Sequence, residues 1–316
     1  MDNKKIKFGV VGVGYLGQHH VKHLAKFNFI DLVGIYDADQ SVVLDISKTY
    51  NVPAYESLNQ LLNKVDAISI VTPTNSHVEI AQQALDCDCH VFIEKPISHS
   101  LESAQLILQE VIKKNKVAHV GHIERFNPAF KSFMQQKHRP LFIEGHRLTK
   151  INNRSMDISV VLDLMIHDID LVIKMIDSSI TEIIADGISV LSNNVDLANV
   201  KLIFENGAVV NLTASRISGK DMRKIRVFEN KKYTSIDLLN KDVKEFSARS
   251  IDKEKLIFNH ENIEIKKIDA LAAELTHFYS CIINNDTSIK NIENAITALK
   301  IAQEINDIIQ TKKAIK

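Results

Sequence analysis

The feature that most constrains this chain is a glycine string set at the end of an apolar run. The run is Ile6-Lys7-Phe8-Gly9-Val10-Val11, and Gly12-Val13-Gly14-Tyr15-Leu16-Gly17 follows it directly. Apolar residues at helical spacing then run over 15–27, and a second apolar run, 32–36, ends in Asp37, 20 residues past Gly17. A strand, a tight glycine turn, a helix and an acid at the next strand end make a dinucleotide-binding unit. The glycines let the backbone approach a pyrophosphate, and the helix N-terminus offers N–H groups and partial positive charge. Asp37 would accept from a ribose hydroxyl and repel a 2′-phosphate, so the spacing predicts NAD rather than NADP. Tyr15 and Leu16, inside the string, are predicted to touch the cofactor with Gly12, Gly14, Gly17 and Asp37.

The same rhythm continues to about residue 120. Apolar runs at 67–71, 90–93 and 117–120 read as strands, and 40–50, 76–86 and 100–114 have helical periodicity. Strands buried on both faces and separated by helices predict an α/β architecture with a doubly wound parallel sheet. After Gly121 the pattern changes. A helix is predicted over 128–136 and a helical stretch over 155–176. From 181 to 268 the chain alternates in the β manner, with strands at 183–191, 198–204, 208–215, 225–228 and 233–239. Turns at 205–207 and 229–231 join neighbours as hairpins. Helices over 269–284 and 291–311 close the chain. The expectation is two domains, a dinucleotide-binding domain over 1–122 and, over 123–316, an α+β domain with an open, mainly antiparallel sheet that binds substrate.

Lys+Arg and Asp+Glu are both 39, so the formal net charge is zero. That argues against a nucleic-acid or membrane-surface partner. No apolar run approaches the roughly 20 residues of a membrane span. Met1-Asp2-Asn3-Lys4-Lys5 leads straight into a strand, leaving no room for a signal peptide, and the three cysteines suit a reducing compartment. A cytoplasmic protein is expected. Cys87 and Cys89, with His90 beside them, are spaced too closely for a usual zinc knuckle, so they read as a helix end and a buried strand.

Three segments carry chemistry. Glu94-Lys95-Pro96 ends the strand 90–93, where a lysine points into the crevice at which open α/β sheets bind ligands. Thr72-Pro73-Thr74-Asn75-Ser76-His77 follows the strand 67–71 and faces the same crevice. Thr72, Asn75 and His77 there offer polar groups to a ribose or nicotinamide, or Thr74 or Asn75 caps the next helix. Asp163 and His167 stand at i and i+4, on one face of a helix made buried by Leu164, Met165 and Ile166. A histidine suits removal of a hydroxyl proton near neutral pH, a carboxylate can orient it, and a lysine can stabilise a developing alkoxide. A metal site is the alternative, since Asp168 and Asp170 are near, but these two are expected to point away from the 163/167 face, and no metal is expected.

In order along the chain, these motifs resemble the glucose–fructose oxidoreductase / inositol dehydrogenase / MocA family. The resemblance rests on Gly12-x-Gly14-x-x-Gly17, Asp37, Thr72-Pro73…His77, Glu94-Lys95-Pro96 and Asp163-x-x-x-His167, and covers essentially the whole chain. It implies an NAD-dependent dehydrogenase built from a Rossmann domain and a second domain whose open sheet makes a homodimer or homotetramer contact. It implies that Lys95, Asp163 and His167 are catalytic, and that Pro73, Glu94 and Lys95 border the cofactor. Many members carry a glycine pair before the catalytic aspartate; here Ile158-Ser159-Val160-Val161-Leu162 has none. The segments 121–130 and 161–170 are similar to the branch that oxidises the C3 hydroxyl of UDP-N-acetylglucosamine for lipid A assembly. That similarity implies a nucleotide-sugar substrate and a partner aminotransferase. It places Arg125 and Asn127 beside nicotinamide and sugar, unless they only form the helix entry before Pro128. Arg154 and Arg216 are further candidates for a diphosphate, though solvated arginines are the simpler reading.

Overall fold

A computed structural model describes residues 5–151, 156–252 and 255–314, with side chains apart from those of 249–252, 255, 256, 313 and 314. The chain forms two compact units, Met1–Ile123 with Leu271–Thr297, and Glu124–Ala270 with Ala298–Lys316.

The first unit is built on five strands, β1 (Ile6–Val11), β2 (Ile30–Tyr36), β3 (Ala67–Ile70), β4 (His90–Glu94) and β5 (Ala118–Gly121). All neighbours pair parallel, in the order β2-β1-β3-β4-β5. The connecting helices are α1 (Tyr15–Leu24), α2 (Gln40–Tyr50), α3 (Leu58–Leu62), α4 (His77–Asp86) and α5 (Leu101–Lys114). Their ends follow local chemistry. Ser100 accepts the Ser103 N–H at 3.2 Å to start α5, and Asn115 stops it in the left-handed conformation, φ 51°. The strand order reverses between β1 and β3, so the carboxyl ends of these two strands open the crevice of a doubly wound sheet. Cys89, just before β4, is fully buried, and burial pushes its thiol up to about 12.

The helix Ala270–Ile283 departs from the single cut expected after residue 122. Leu271, Leu275, Phe278 and Ile282 enter the core of the parallel sheet with Phe8, Val10 and Phe92. His119 of β5 and Glu274 meet at 3.0 Å in the interior, and Asn291 accepts the Val120 N–H at 2.6 Å. Periodicity shows that 269–284 is helical; it does not show which core receives its apolar face.

The second unit carries α6 (Pro128–Phe133), β6 (Phe142–Lys150) and α7 (Ile166–Met175). Seven strands follow: β7 (Ile180–Ile188), β8 (Leu197–Phe204), β9 (Val209–Ser218), β10 (Met222–Glu229), β11 (Lys232–Asp237), β12 (Asp242–Asp252) and β13 (Lys255–Ile263). The last two helices are α8 (Ala270–Ile283) and α9 (Lys290–Ala314). The eight strands form one sheet, β13-β12-β11-β10-β6-β9-β8-β7, antiparallel except for the parallel pair β6–β9. The first unit is therefore α/β and the second α+β.

β6 lies inside the sheet, yet it is absent from the sequence reading. Its inward positions are Ile143, Gly145 and Arg147, so only one of the three is a large apolar residue and the usual alternation disappears. A Cβ on Gly145 would lie 2.6 Å from Leu212 Cδ2, so that side chain would have to move to admit one. One face of the sheet packs on α6, α7 and the later turns of α9, with Ile143, Val200, Ile225, Ile169 and Ile305 fully buried. Burying each such side chain contributes about 1.5–3 kcal/mol. The other face carries an aromatic ladder, Phe142, Phe228, Tyr233, Phe246 and His260, with successive ring centroids 4.4–5.8 Å apart.

Candidate active site

The glycine string turns at the switch point. Gly12 has φ +85°, and a Cβ on it would stand 2.7 Å from the Val71 carbonyl group, so the turn is pressed against the end of β3. A Cβ on Gly17 would fall 1.9 Å from the Gly12 carbonyl oxygen. Gly14 differs: nothing lies within 4 Å of its Cβ position, and it begins α1 without any side-chain cap. Open space thus faces the N-terminus of α1. Tyr15 and Leu16 are 65% and 50% exposed on that first turn.

A cavity of about 670 Å³ opens here, lined by Gly12, Gly14, Asp37, Thr72, Pro73 and Ser76 among others. The Asp37 carboxylate accepts the Val13 N–H at 2.8 Å and the Asp39 N–H at 3.1 Å, so the acid is braced against the glycine turn it serves. Size, open glycine, uncapped helix and acid together fit a dinucleotide. Gly12, Gly14, Asp37, Thr72 and Pro73, all singled out in the sequence, are brought together; Gly17 packs behind them.

Two expected cofactor contacts have other work. His77 is 1% exposed, with Nδ1 3.0 Å from the Pro96 carbonyl oxygen and Nε2 2.9 Å from that of Thr72. It ties the Thr72-Pro73 loop to the tripeptide Glu94-Lys95-Pro96. Burial pushes its pKa below the usual imidazole value, against the pull of both carbonyls. The Glu94 carboxylate points inward, 3.1 Å from His20 Nε2, and accepts the Lys95 N–H at 3.2 Å. Burial would raise the Glu94 pKa, but His20 and Lys95 outweigh it and hold the carboxyl below the ordinary range. Asn75 is exposed on a short 3₁₀ turn, Thr74–Ser76, that no side chain caps. Lys95 is half-buried at the end of β4.

In the second unit, Val161–Met165 forms a π-helical turn that runs into α7. Such widened turns recur at functional sites. The turn is anchored by Ser159, whose carbonyl accepts the Asp163 N–H at 3.0 Å and whose hydroxyl donates to Asn306 at 2.7 Å. Val160 and Val161, in the stretch without glycines, are fully buried. Asp163 and His167 are both half-buried on this segment. Asp168 and Asp170 are buried in ion pairs. Arg147 of β6 donates to Asp168 and, at 2.9 Å, to Glu124; Arg125 donates through Nε to Asp170 at 2.7 Å and through Nη2 to its other oxygen. Among the described residues no group of His, Cys, Asp and Glu could hold a metal ion.

These pairs bear on three expectations. Asn127 caps α6, accepting the Ala129 N–H at 3.1 Å, while its amide donates to Glu124 and to the Leu238 carbonyl, both at 2.9 Å. Its hydrogen-bonding capacity is thus spent on the fold. Arg125 is held in an ion pair with Asp170. Arg216 is neither solvated nor open to a diphosphate: it is 4% exposed, donates to the Ile158 carbonyl at 2.6 Å and lies 3.8 Å from Asp196. Arg154 lies outside the described residues. His20, Ser69, Glu124 and Arg147 escaped the sequence reading. His20 had a signal, since it shares the buried face of α1 with Gly17, Val21 and Leu24. A polar residue on such a face requires a partner.

A glycine turn at a switch point, an acid at the next strand end and a cavity of dinucleotide size define the first unit as the NAD-binding fold of an oxidoreductase. Comparison with known proteins gives the family. The model of the oxidoreductase family with an NAD-binding Rossmann fold matches residues 6–122, and that of the GFO/IDH/MocA C-terminal domain matches 119–232. The chain belongs to the GFO/IDH/MocA family and is an NAD-dependent dehydrogenase acting on CH–OH groups. A UDP-N-acetylglucosamine 3-dehydrogenase of Acidithiobacillus ferrooxidans is 32% identical over 280 residues, 88% of each chain. A solved structure of that enzyme from the same organism superposes with a TM-score of 0.90 at 30% identity, over 97% of this chain and 98% of the other. A myo-inositol 2-dehydrogenase of Thermotoga maritima is 28% identical over 248 residues, 72% of this chain and 73% of its own.

Proposed function

We propose that this dehydrogenase oxidises a secondary hydroxyl of a nucleotide sugar, the C3 hydroxyl of UDP-N-acetylglucosamine. The observation that carries the reading is the likeness to a UDP-N-acetylglucosamine 3-dehydrogenase over 97% of this chain, at a TM-score of 0.90. In this reading Gly12, Gly14, Asp37, Thr72 and Pro73 hold NAD. NAD, when bound, supplies the acceptor for the hydride. His167 takes the hydroxyl proton. Lys95 donates to the oxygen as negative charge develops on it. Asp163 orients substrate and base. The product is a 3-keto sugar, which a partner aminotransferase would convert to an amine in the cytoplasm, on the route to lipid A. A homodimer or homotetramer would cover the aromatic ladder on the outer face of the second unit's sheet.

A second reading, a dehydrogenase of inositols or another free polyol, draws on the myo-inositol 2-dehydrogenase among the relatives. Purified protein with NAD and a panel of UDP-N-acetylglucosamine, inositols and free sugars separates the two, read by absorbance of the reduced cofactor. Glutamate and the aminotransferase are included to draw off an unfavourable ketone. Turnover only with the nucleotide sugar supports the first reading; turnover only with inositols or free sugars replaces it.

A further inference from the structure

What fixes Lys95 is a chain of buried polar groups beneath it. β4 ends at Glu94, so the sheet ladder stops one residue before the lysine. Glu94 takes over. One carboxylate oxygen accepts the Lys95 N–H at 3.2 Å, and the other lies 3.1 Å from His20 Nε2. His20 Nδ1 is 2.8 Å from the Ser69 hydroxyl. Facing a carboxylate, Nε2 carries a proton, and Nδ1 pairs with the Ser69 hydroxyl, so both ring nitrogens are engaged. His20 is 2% exposed, Ser69 fully buried, and the Phe92 ring meets the imidazole edge at 5.4 Å. Behind Glu94 stands Gly121, where a Cβ would fall 2.9 Å from the carboxylate. The ring is held at both nitrogens and the carboxylate at both oxygens. His20 also lies on α1, the helix that begins at Gly14 beside the cofactor cavity. The lysine is thereby keyed to the turn that holds the dinucleotide.

We infer that His20 is a positioning residue for Lys95, acting through the Glu94 carboxylate. This rests on the reading of Lys95 as the group that stabilises the substrate oxyanion. A histidine that merely fills the core would lower stability, cofactor affinity and turnover together. A positioning residue lowers turnover selectively, because a shift of about 1 Å at a catalytic group costs about a hundredfold.

The test uses the full chain with NAD and UDP-N-acetylglucosamine, comparing His20→Leu, His20→Gln, Glu94→Gln, the double variant His20→Leu/Glu94→Gln, and Lys95→Met. Gln at 20 presents an N–H near the Nε2 position; Leu does not. The expected result is a fall in kcat of about 10- to 100-fold for His20→Leu, with the NAD Kd within about threefold of wild type. His20→Gln recovers most of that loss. In the Glu94→Gln background, His20→Leu costs nothing further, since both changes cut the same chain. Additive losses, or a Kd that worsens as much as kcat falls, overturn the inference. Should Lys95→Met turn over like wild type, the role given to Lys95 fails first and this inference with it.

A readout free of substrate keeps the two apart. Competitive acylation by acetic anhydride, followed on the Lys95 peptide by mass spectrometry, reports the freedom of that amine with Lys113 as exposed reference. The rate at Lys95 changes at least about threefold, and in the same direction, in His20→Leu and Glu94→Gln alike, as the residue loses its braced position. An unchanged rate in both variants overturns the inference whatever the substrate. If His20→Leu does not fold, Glu94→Gln alone carries the comparison, with His20→Gln expected to keep the wild-type Lys95 rate.

Discussion

Arg147 of β6 grips the carboxylate of Asp168 from two nitrogens, Nε at 3.0 Å and Nη2 at 2.7 Å, and Asp168 is the neighbour of His167. The same guanidinium donates from Nη1 to Glu124 at 2.9 Å, and all three side chains are at most 6% exposed. One buried cation thus serves two buried anions, and the helix bearing His167 is docked on the sheet through it. Burial would push the Glu124 carboxyl up, but Arg147 and Arg223 hold it below the ordinary range. Replacing Arg147 with Met keeps much of the volume, takes the guanidinium from Asp168, and leaves Glu124 with Arg223 at 3.5 Å. Removing one partner of such a buried pair costs about 3–5 kcal/mol. Urea denaturation of Arg147→Met measures the loss; a change under about 1 kcal/mol would mean that water reaches the pair.

The glycines of the turn separate stability from binding. Gly17→Ala puts a Cβ 1.9 Å from a backbone oxygen, so the turn must open and both folding and NAD affinity suffer. Gly14→Ala meets nothing within 4 Å, and Gly14 already sits at φ −63°. Its melting temperature is expected to stay within about 2 °C of wild type. NAD affinity is nevertheless expected to fall at least about tenfold, because the methyl occupies the space left for the pyrophosphate. Thermal melts and calorimetric NAD titrations of both variants provide the check. Equal affinity in Gly14→Ala and wild type would displace the cofactor from this turn.

Legibility in the sequence followed the range of the signal. Gly12, Gly14 and Asp37 announce themselves because a turn and an acid at fixed spacing are local. Lys95, Asp163 and His167 carry the right chemistry, but spacing says nothing of what braces them. The His20–Glu94 link joins residues 74 apart, and His119–Glu274 joins residues 155 apart. Only the fold reveals such pairs. β6 was hidden for a different reason: Arg147 at an inward position reads as surface until its two acids are known. Asn127 reads two ways, because its cap on α6 and a sugar contact would use the same amide.

Asp37 is expected to choose between NAD and NADP: it would present negative charge to a 2′-phosphate, and it braces the Val13 N–H. Asp37→Ser removes the charge but keeps a small acceptor. The NAD Kd is expected to rise about tenfold, the worth of one hydrogen bond to a charged group. The NADP Kd is expected to fall by a similar factor as repulsion disappears. Fluorescence titration with both reduced cofactors gives the ratio. An unchanged ratio means that another group reads the 2′ position.

The acid side of the stability curve should carry the signature of His77. Burial lowers its pKa below the ordinary 6.5, so the unfolded chain takes up the proton first as pH falls. The stabilisation from its neutral form is complete above pH 6.5, and it is lost as pH drops toward the folded value. The slope while only the unfolded state is protonated approaches about 1.4 kcal/mol per pH unit. Glu94 acts lower down: its folded pKa is below 4.5, so its contribution persists to about that pH and fades beneath it. Denaturation free energies measured between pH 8 and 5 should therefore slope downward in wild type and more weakly in His77→Gln, which keeps hydrogen-bonding groups near the Thr72 and Pro96 carbonyls but does not titrate. Parallel curves for the two proteins would show that the two carbonyls offset burial, so that His77 binds its proton equally well in the folded and unfolded chain.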